Sequence, residues 1–209
     1  VWDNPDEIDF SALPEQFVLK CTHDSGGVIL CPNKAALDLD AARASLKAWL
    51  KRDYSIAGRE WPYHFVPRRV FAEALLPGTN GERPDDYKFY CFAGEVCFIL
   101  FCTNRRKSHA DYFYFDAELR PFRVNEITNT LPNDYRLPRP QHFEEMIEIA
   151  RRLSAGFPHI RVDLFETPDG VRFGEMTLYD QSGLNDDFSD AGDREMGKAL
   201  NLETIHSIV

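Results

Sequence analysis

The sequence predicts an α+β fold in which antiparallel sheets are covered by helices on one side. Three observations carry that expectation. Strand-like runs come in adjacent pairs joined by tight turns, residues 40–54 and 141–154 repeat with helical period, and the order reads β-β-α-β-β-β-β-α-β-β-α. Strands that cluster in sequence favour antiparallel pairing over the alternating βαβ pattern of a parallel sheet.

Residues 16–22 read as a strand, 23–27 as a turn and 28–31 as its partner strand. Residues 2–13 read as a loop leading into that strand. Over 40–54, Ala42, Leu46, Trp49 and Leu50 fall on one helical face. Residues 69–76 are apolar and strand-like up to Pro77-Gly78, and the polar stretch 79–86 reads as a loop. Residues 87–92 and 95–103 form a hairpin around Ala93-Gly94, and 111–116 is a further aromatic strand. The prolines and turn residues of 123–140 read as a long loop. Over 141–154, Phe143, Met146, Ile147, Ala150 and Leu153 point inward. Two strands follow at 159–178, then a polar loop at 179–193 and a short helix near 194–200. A boundary near 77–85 divides the chain into subdomains 16–77 and 78–209.

The last strand pair carries the most chemistry. Pro168-Asp169-Gly170 suits a three-residue loop closed by Gly170 in the left-handed region. That loop pairs Arg161 with Thr177 and Asp163 with Glu175, and alternation puts all four on one face. Ile160, Val162, Leu164, Met176 and Leu178 then form a core face. A two-residue turn would instead split the two acids between faces. Acids directly opposite each other repel unless a cation sits between them, so relieving one charge should hold or raise the stability of the unliganded protein. Hard oxygen donors beside an Arg suit Mg²⁺ holding a polyphosphate, although the pattern also fits a solvated hairpin face.

Composition excludes several classes of partner. The net charge of −10, with no basic run beyond Arg105-Arg106-Lys107, argues against nucleic acid. No apolar stretch reaches the roughly 20 residues that span a bilayer, and no signal peptide is visible. The cysteines at 21, 31, 91, 97 and 102 lack metal-like spacing and read as reduced thiols of a cytoplasmic protein. The chain begins with Val1, which suggests a preceding segment.

Other segments add possible phosphate contacts. Lys20 closes a strand before His23-Asp24-Ser25-Gly26-Gly27, where small residues let backbone N–H groups approach oxygens and Lys supplies a point charge. Few buried contacts are expected in that loop, so it should open easily. Glu73 sits in an apolar strand that suits an adenine-recognising hinge, or else an edge strand with one solvated acid. Lys88 and Arg105 mark the ends of the next hairpin, where surface charges are also common.

In this order the pieces resemble the ATP-grasp superfamily. Phe17 to Gly27, Gly58-Arg59-Glu60-Trp61-Pro62-Tyr63, Asp86-Tyr87-Lys88-Phe89, Arg161-Val162-Asp163-Leu164 and Phe173-Gly174-Glu175-Met176-Thr177 are similar to the TupA-like ATP-grasp proteins, named for teichuronopeptide synthesis. The resemblance implies two α+β subdomains holding ATP between them, with the N-terminal subdomain of the superfamily missing here.

It implies a cofactor-binding set of Lys20, His23, Ser25, Gly26, Gly27, the hinge Glu73, Ala74 and Leu76, and Lys88. Asp163, Glu175 and Thr177 would hold Mg²⁺, with Thr177 where many members have Asn. Arg161, Lys88 and Arg105 would act on the transferring phosphoryl group. The implied activity is carboxylate–amine ligation through an acyl phosphate, on a small-molecule or glycan substrate of cell-surface polysaccharide synthesis. A kinase acting on a hydroxyl, or a non-catalytic nucleotide-binding module, would need the same ATP half.

Overall fold

The alternation of apolar and polar residues resolves into two antiparallel sheets. The structure, a computed structural model, describes residues 1–78, 84–106 and 109–201, without the side chains of 105, 106 and 109. It divides into two compact units, Val1–Leu76 and Pro77–Val209. Most of the expected loop at 79–86 lies outside the described residues.

In the first unit, β1 (Phe17–Cys21) lies between β2 (Val28–Cys31) and β3 (Val70–Ala74), antiparallel to both. Phe17, Leu19 and Cys21 alternate onto one face and pack with Cys31, Val70 and Leu46. Leu46 comes from α1 (Leu39–Leu50), which starts where the Asp38 carboxylate accepts the Ala41 N–H at 2.9 Å. Ala42 and Leu46 are buried as the helical period requires, with Trp49 and Leu50 at the flanks. A buried Leu of this kind contributes about 2–3 kcal/mol.

The helix stops earlier than its period suggested. Asp53 adopts an extended conformation and a separate turn, α2 (Tyr54–Ala57), begins after it. Residues 2–13 are also more than a leading loop. Trp2 exchanges two 2.8 Å backbone bonds with Val70, and Ile8 and Phe10 enter the core. Arg43 holds that segment by donating to the Ile8 carbonyl at 3.1 Å, with its guanidinium over the Phe10 ring.

The second unit is built on a five-stranded sheet ordered β6-β5-β4-β7-β8, comprising β4 (Asp86–Phe92), β5 (Glu95–Arg106), β6 (His109–Asp116), β7 (His159–Thr167) and β8 (Gly170–Thr177). One face carries Phe89, Ile99, Phe101, Phe115, Ile160, Val162 and Leu164. It packs against Phe143, Met146 and Ala150 of a further helix, Phe143–Ser154. Between β6 and that helix, α3 (Glu126–Asn129) interrupts the expected long loop; four residues are too few to show a period. The helix Phe143–Ser154 is therefore α4. Glu166 of β7 fixes its start by accepting the His142 N–H at 2.8 Å.

The opposite face is not bare. Tyr90, Phe92, Phe98, Leu100 and Tyr114 pack with Val124, Phe188 and Met196 of α5 (Asp190–Gly197). The expectation of helices on one side fails for this sheet because β4, β5 and β6 carry large apolar residues on both faces. α5 also begins before residue 194, at a cap where Ser189 Oγ accepts the Gly192 N–H at 3.1 Å. The described cysteines are all free thiols, and burial pushes those of Cys21 and Cys91 up to about 11. Among the described residues no helix is long and apolar enough to cross a membrane.

Candidate active site

The hairpin β7–β8 reaches the expected pairing by a different route. Its turn has two residues, Pro168 and Asp169, since Thr167 pairs with Gly170 and Leu164 with Phe173. That register alone would separate the acids. A β-bulge then inserts Gly174, after which Asp163 pairs with Glu175 and Arg161 with Thr177. The bulge supplies the residue that the turn lacks and restores the shared face. Only glycine fits there, because a Cβ on Gly174 would lie 2.9 Å from the Asp163 carbonyl oxygen and 3.0 Å from the Phe165 ring. Met176 packs toward α4 as expected, but Leu178 lies past the end of β8 and is 46% exposed rather than in the core.

β4 pairs with β7, placing Lys88 opposite Asp163 and Tyr90 opposite Arg161. The resulting network centres on Arg161. Its Nε donates to Asp163 Oδ1 at 2.8 Å, and its Nη2 donates to Asp163 Oδ2 at 3.0 Å and to Glu175 Oε1 at 2.9 Å. Its Nη1 donates to Asp180, which also accepts from the Tyr90 hydroxyl. Lys88 donates to Asp163 and lies 2.9 Å from Asp86. Thr177 donates to Glu175 at 3.1 Å. The cation between the opposed acids is thus the Arg161 guanidinium.

Burial sets the electrostatics. Asp86, Asp163 and Arg161 are buried, whereas the Glu175 side chain is 55% exposed. Burial pulls the Lys88 ammonium down, but Asp86 and Asp163 outweigh it and hold the group above its ordinary value. For Arg161 burial is likewise outweighed, by Asp163 and Asp180. Burial, reinforced by Tyr114 and Asp180, keeps the Tyr90 phenol protonated and a hydrogen-bond donor. Four carboxylates (Asp86, Asp163, Glu175, Asp180) surround two cations, leaving an excess of two negative charges. The hard oxygens and that excess fit a divalent cation such as Mg²⁺. The guanidinium now lies between Asp163 and Glu175, and among the described residues no three acidic, His or Cys side chains already form a metal cluster.

The remaining expected residues are in the first unit. Lys20 ion-pairs with Glu73 on the sheet face away from the core. Ala74 is exposed and Leu76 half-buried. The loop at 23–27 is more anchored than expected. His23 is 2% exposed, with Nε2 3.2 Å from the Arg52 carbonyl, so its ring points inward and not to a solvent-facing phosphate. The Asp24 side chain, 2% exposed, lies 3.5 Å from Arg52. A Cβ on Gly27 would meet Asp24 at 2.6 Å and Trp49 at 3.1 Å. Only the tip, Ser25 and Gly26, is exposed. The Arg105 side chain lies outside the described residues.

Sequence reasoning named neither Tyr90 nor Asp180 as site residues and did not place Asp86 beside Lys88 within the network. The signal for Tyr90 was parity, because it stands two residues from Lys88 on the same face. His159 shares that face, with its ring 4.6 Å from Phe92, and burial lowers its pKa. Asp180 opens the turn Asp180–Gly183, in which Gln181 (φ 45°), Ser182 (φ 58°) and Gly183 (φ 70°) are all left-handed. Each non-glycine residue held there costs roughly 1–2 kcal/mol.

A charged hairpin face on an antiparallel α+β sheet, with Lys88 on the neighbouring strand, agrees with the resemblance drawn from the sequence. The family model for TupA-like ATPgrasp matches residues 1–201, and the chain belongs to that family. No curated protein matches it. Among solved structures it is similar to the ATP-grasp ligase PsnB complexed with minimal precursor, at 15% identity and TM-score 0.46, over 98% of this chain and 54% of that one. PsnB with minimal precursor, Mg and ADP matches at 13% identity and TM-score 0.46, over 100% and 52%. The macrocyclase MdnC bound with precursor peptide MdnA from Microcystis aeruginosa MRC matches at 14% identity and TM-score 0.38, over 95% and 53%. The chain spans about half the length of these structures.

Proposed function

We propose that this chain is the nucleotide-binding part of an ATP-dependent carboxylate–amine ligase. The observation that supports it most is the convergence of Lys88, Arg161, Asp163, Glu175 and Thr177 on one sheet face in a chain of this family. A substrate carboxylate would attack the γ-phosphate of ATP, releasing ADP and forming an acyl phosphate. An amine would then displace phosphate. The residues contribute position and charge, which is most of what phosphoryl transfer requires.

Asp163 and Glu175 would hold Mg²⁺, which neutralises phosphate charge when bound, and Thr177 orients Glu175. For that, Arg161 exchanges its carboxylates for the transferring group. Lys88 and Lys20 would neutralise the phosphates, with the Ser25-Gly26 tip and Gly27 offering backbone N–H groups and residues Glu73, Ala74 and Leu76 the adenine. The substrates belong to cell-surface polysaccharide or teichuronopeptide synthesis.

A coupled ADP-release screen over amino acids, uronic acids and their polymers tests the reaction. Melting temperature with and without MgATP tests the nucleotide site. MgATP at 100 times its dissociation constant should stabilise the protein by about 2.7 kcal/mol. Absence of both ADP release and MgATP stabilisation would refute the reading.

A further inference from the structure

We propose that Arg161 Nη1 and the Tyr90 hydroxyl form a carboxylate-binding subsite, and that the chain's own Asp180 fills it until a substrate carboxylate takes its place. The proposal deepens the ligase reading and rests on it for the identity of the carboxylate as the phosphoryl acceptor. Its basis is the way Asp180 is held. One oxygen accepts from Arg161 Nη1 and the other from Tyr90, so two fixed donors converge on one carboxylate. Both donors come from neighbouring strands of a buried sheet face, and Tyr90 is 3% exposed. Burial keeps the phenol proton in place. Arg161 spends its other bonds on Asp163 and Glu175, so Nη1 is the corner turned toward an incoming anion.

The segment that delivers Asp180 has the marks of a replaceable occupant. Three successive left-handed residues follow it, two of them not glycine. Leu178, Tyr179 and Leu184 around the turn are 46%, 57% and 72% exposed. Farther along, the chain is tied down where Asn125 donates to Asp187 at 2.7 Å and the Ser189 N–H donates to the Val124 carbonyl at 2.9 Å. A strained turn between fixed ends can exchange one carboxylate for another without disturbing the sheet.

The test uses the ¹⁵N-labelled full chain, with the Gly183 amide as reporter. Sodium acetate, inorganic phosphate and acetyl phosphate are titrated against sodium chloride at equal ionic strength. Acetate should move the wild-type Gly183 signal toward its position in ligand-free Asp180→Ala. Removing the internal competitor should tighten acetate binding roughly 5-fold or more. Tyr90→Phe, which keeps the ring and removes one donor, should displace Gly183 in the same direction and weaken acetate binding.

A response to phosphate or acetyl phosphate without acetate would overturn the carboxylate assignment. Unchanged acetate affinity in Asp180→Ala, or a Gly183 signal indifferent to all three anions, would overturn the subsite. MgATP melting shifts on the same samples keep the outcomes separate. A lost acetate effect with intact MgATP binding removes only this proposal, and absent MgATP binding together with absent ADP release removes the ligase reading while the acetate arms still decide the subsite.

Discussion

In the unit Val1–Leu76, Lys20 and Glu73 meet on an open sheet face with 37% and 44% of their side chains exposed. In the unit Pro77–Val209, Arg161 and Lys88 lie in a network with side-chain exposures of 9% and 12%. Both sheets place basic residues on the face away from their main core, yet the settings differ in energy. An exposed ion pair contributes about 0–1 kcal/mol. Breaking a buried one by removing a single partner costs about 3–5 kcal/mol. The first unit can therefore reassign its lysine to a ligand at little structural loss. The second can release Arg161 from its carboxylates only if another cation replaces it there.

The largest effect should come from Arg161→Met, which leaves Asp163 buried with Lys88 as its remaining cation. A loss of about 3–5 kcal/mol in urea denaturation is expected, and a loss below about 1 kcal/mol would erase the contrast between the two units. Next is Gly174→Ala. The new methyl group meets backbone and a packed ring, so about 1–3 kcal/mol should be lost. A variant as stable as wild type would show that the bulge does not need glycine.

A pH experiment sharpens the comparison from the buried side. Burial holds the His159 imidazole below its ordinary value of 6.5, with Asp180 opposing and Arg161 reinforcing. Below 6.5 the unfolded chain takes up the proton before the folded one does. Stability therefore rises with pH through that window and is lost as pH falls. His159→Gln should lose less stability than wild type between about pH 7.5 and about pH 5.5. Equal losses would count against the effect.

Glu175→Gln should lower unliganded stability by up to about 1 kcal/mol, since Glu175 is a half-exposed partner of Arg161. That sign reverses what two opposed acids alone would give. A rise in melting temperature would restore the repulsion argument. Smallest is Lys20→Ala, within about 0.5 kcal/mol without ligand, while the stabilisation by MgATP should largely disappear. An undiminished MgATP shift would show that Lys20 does not contact the nucleotide.

These residues also show what a sequence reveals and what it hides. Strand alternation was enough to put Arg161 with Asp163 and Glu175 with Thr177, and helical period was enough for Leu46 and Met146. The turn of the same hairpin was misjudged by one residue, and the pairing survived because Gly174 adds that residue back. Asp163 meets Lys88 through a strand pairing between distant segments, which no local pattern reports. Asp180 arrives on a turn in which two of the three left-handed residues, Gln181 and Ser182, are not ones that favour that conformation. His23 looked available because its neighbours are small and polar, but a short loop can still turn one side chain under the sheet.

The bulge at Gly174 has a consequence for how the hairpin tolerates change in length. A strand pair behaves as a wave of period two, and an added residue shifts its phase by half a cycle. The tip of this hairpin, from Leu164 and Phe173 outward, runs half a cycle out of step with the part that carries Asp163 and Glu175. That offset lets Val171 cover the α4 side while Glu175 and Thr177 keep the opposite face. Deleting Gly174 would bring the two parts into step while Asp163 stays opposite Glu175 and Val171 opposite Glu166, leaving the acid pair unmoved. A residue added at Pro168–Asp169 would be taken up in the turn outside the Thr167–Gly170 pair and would change neither face.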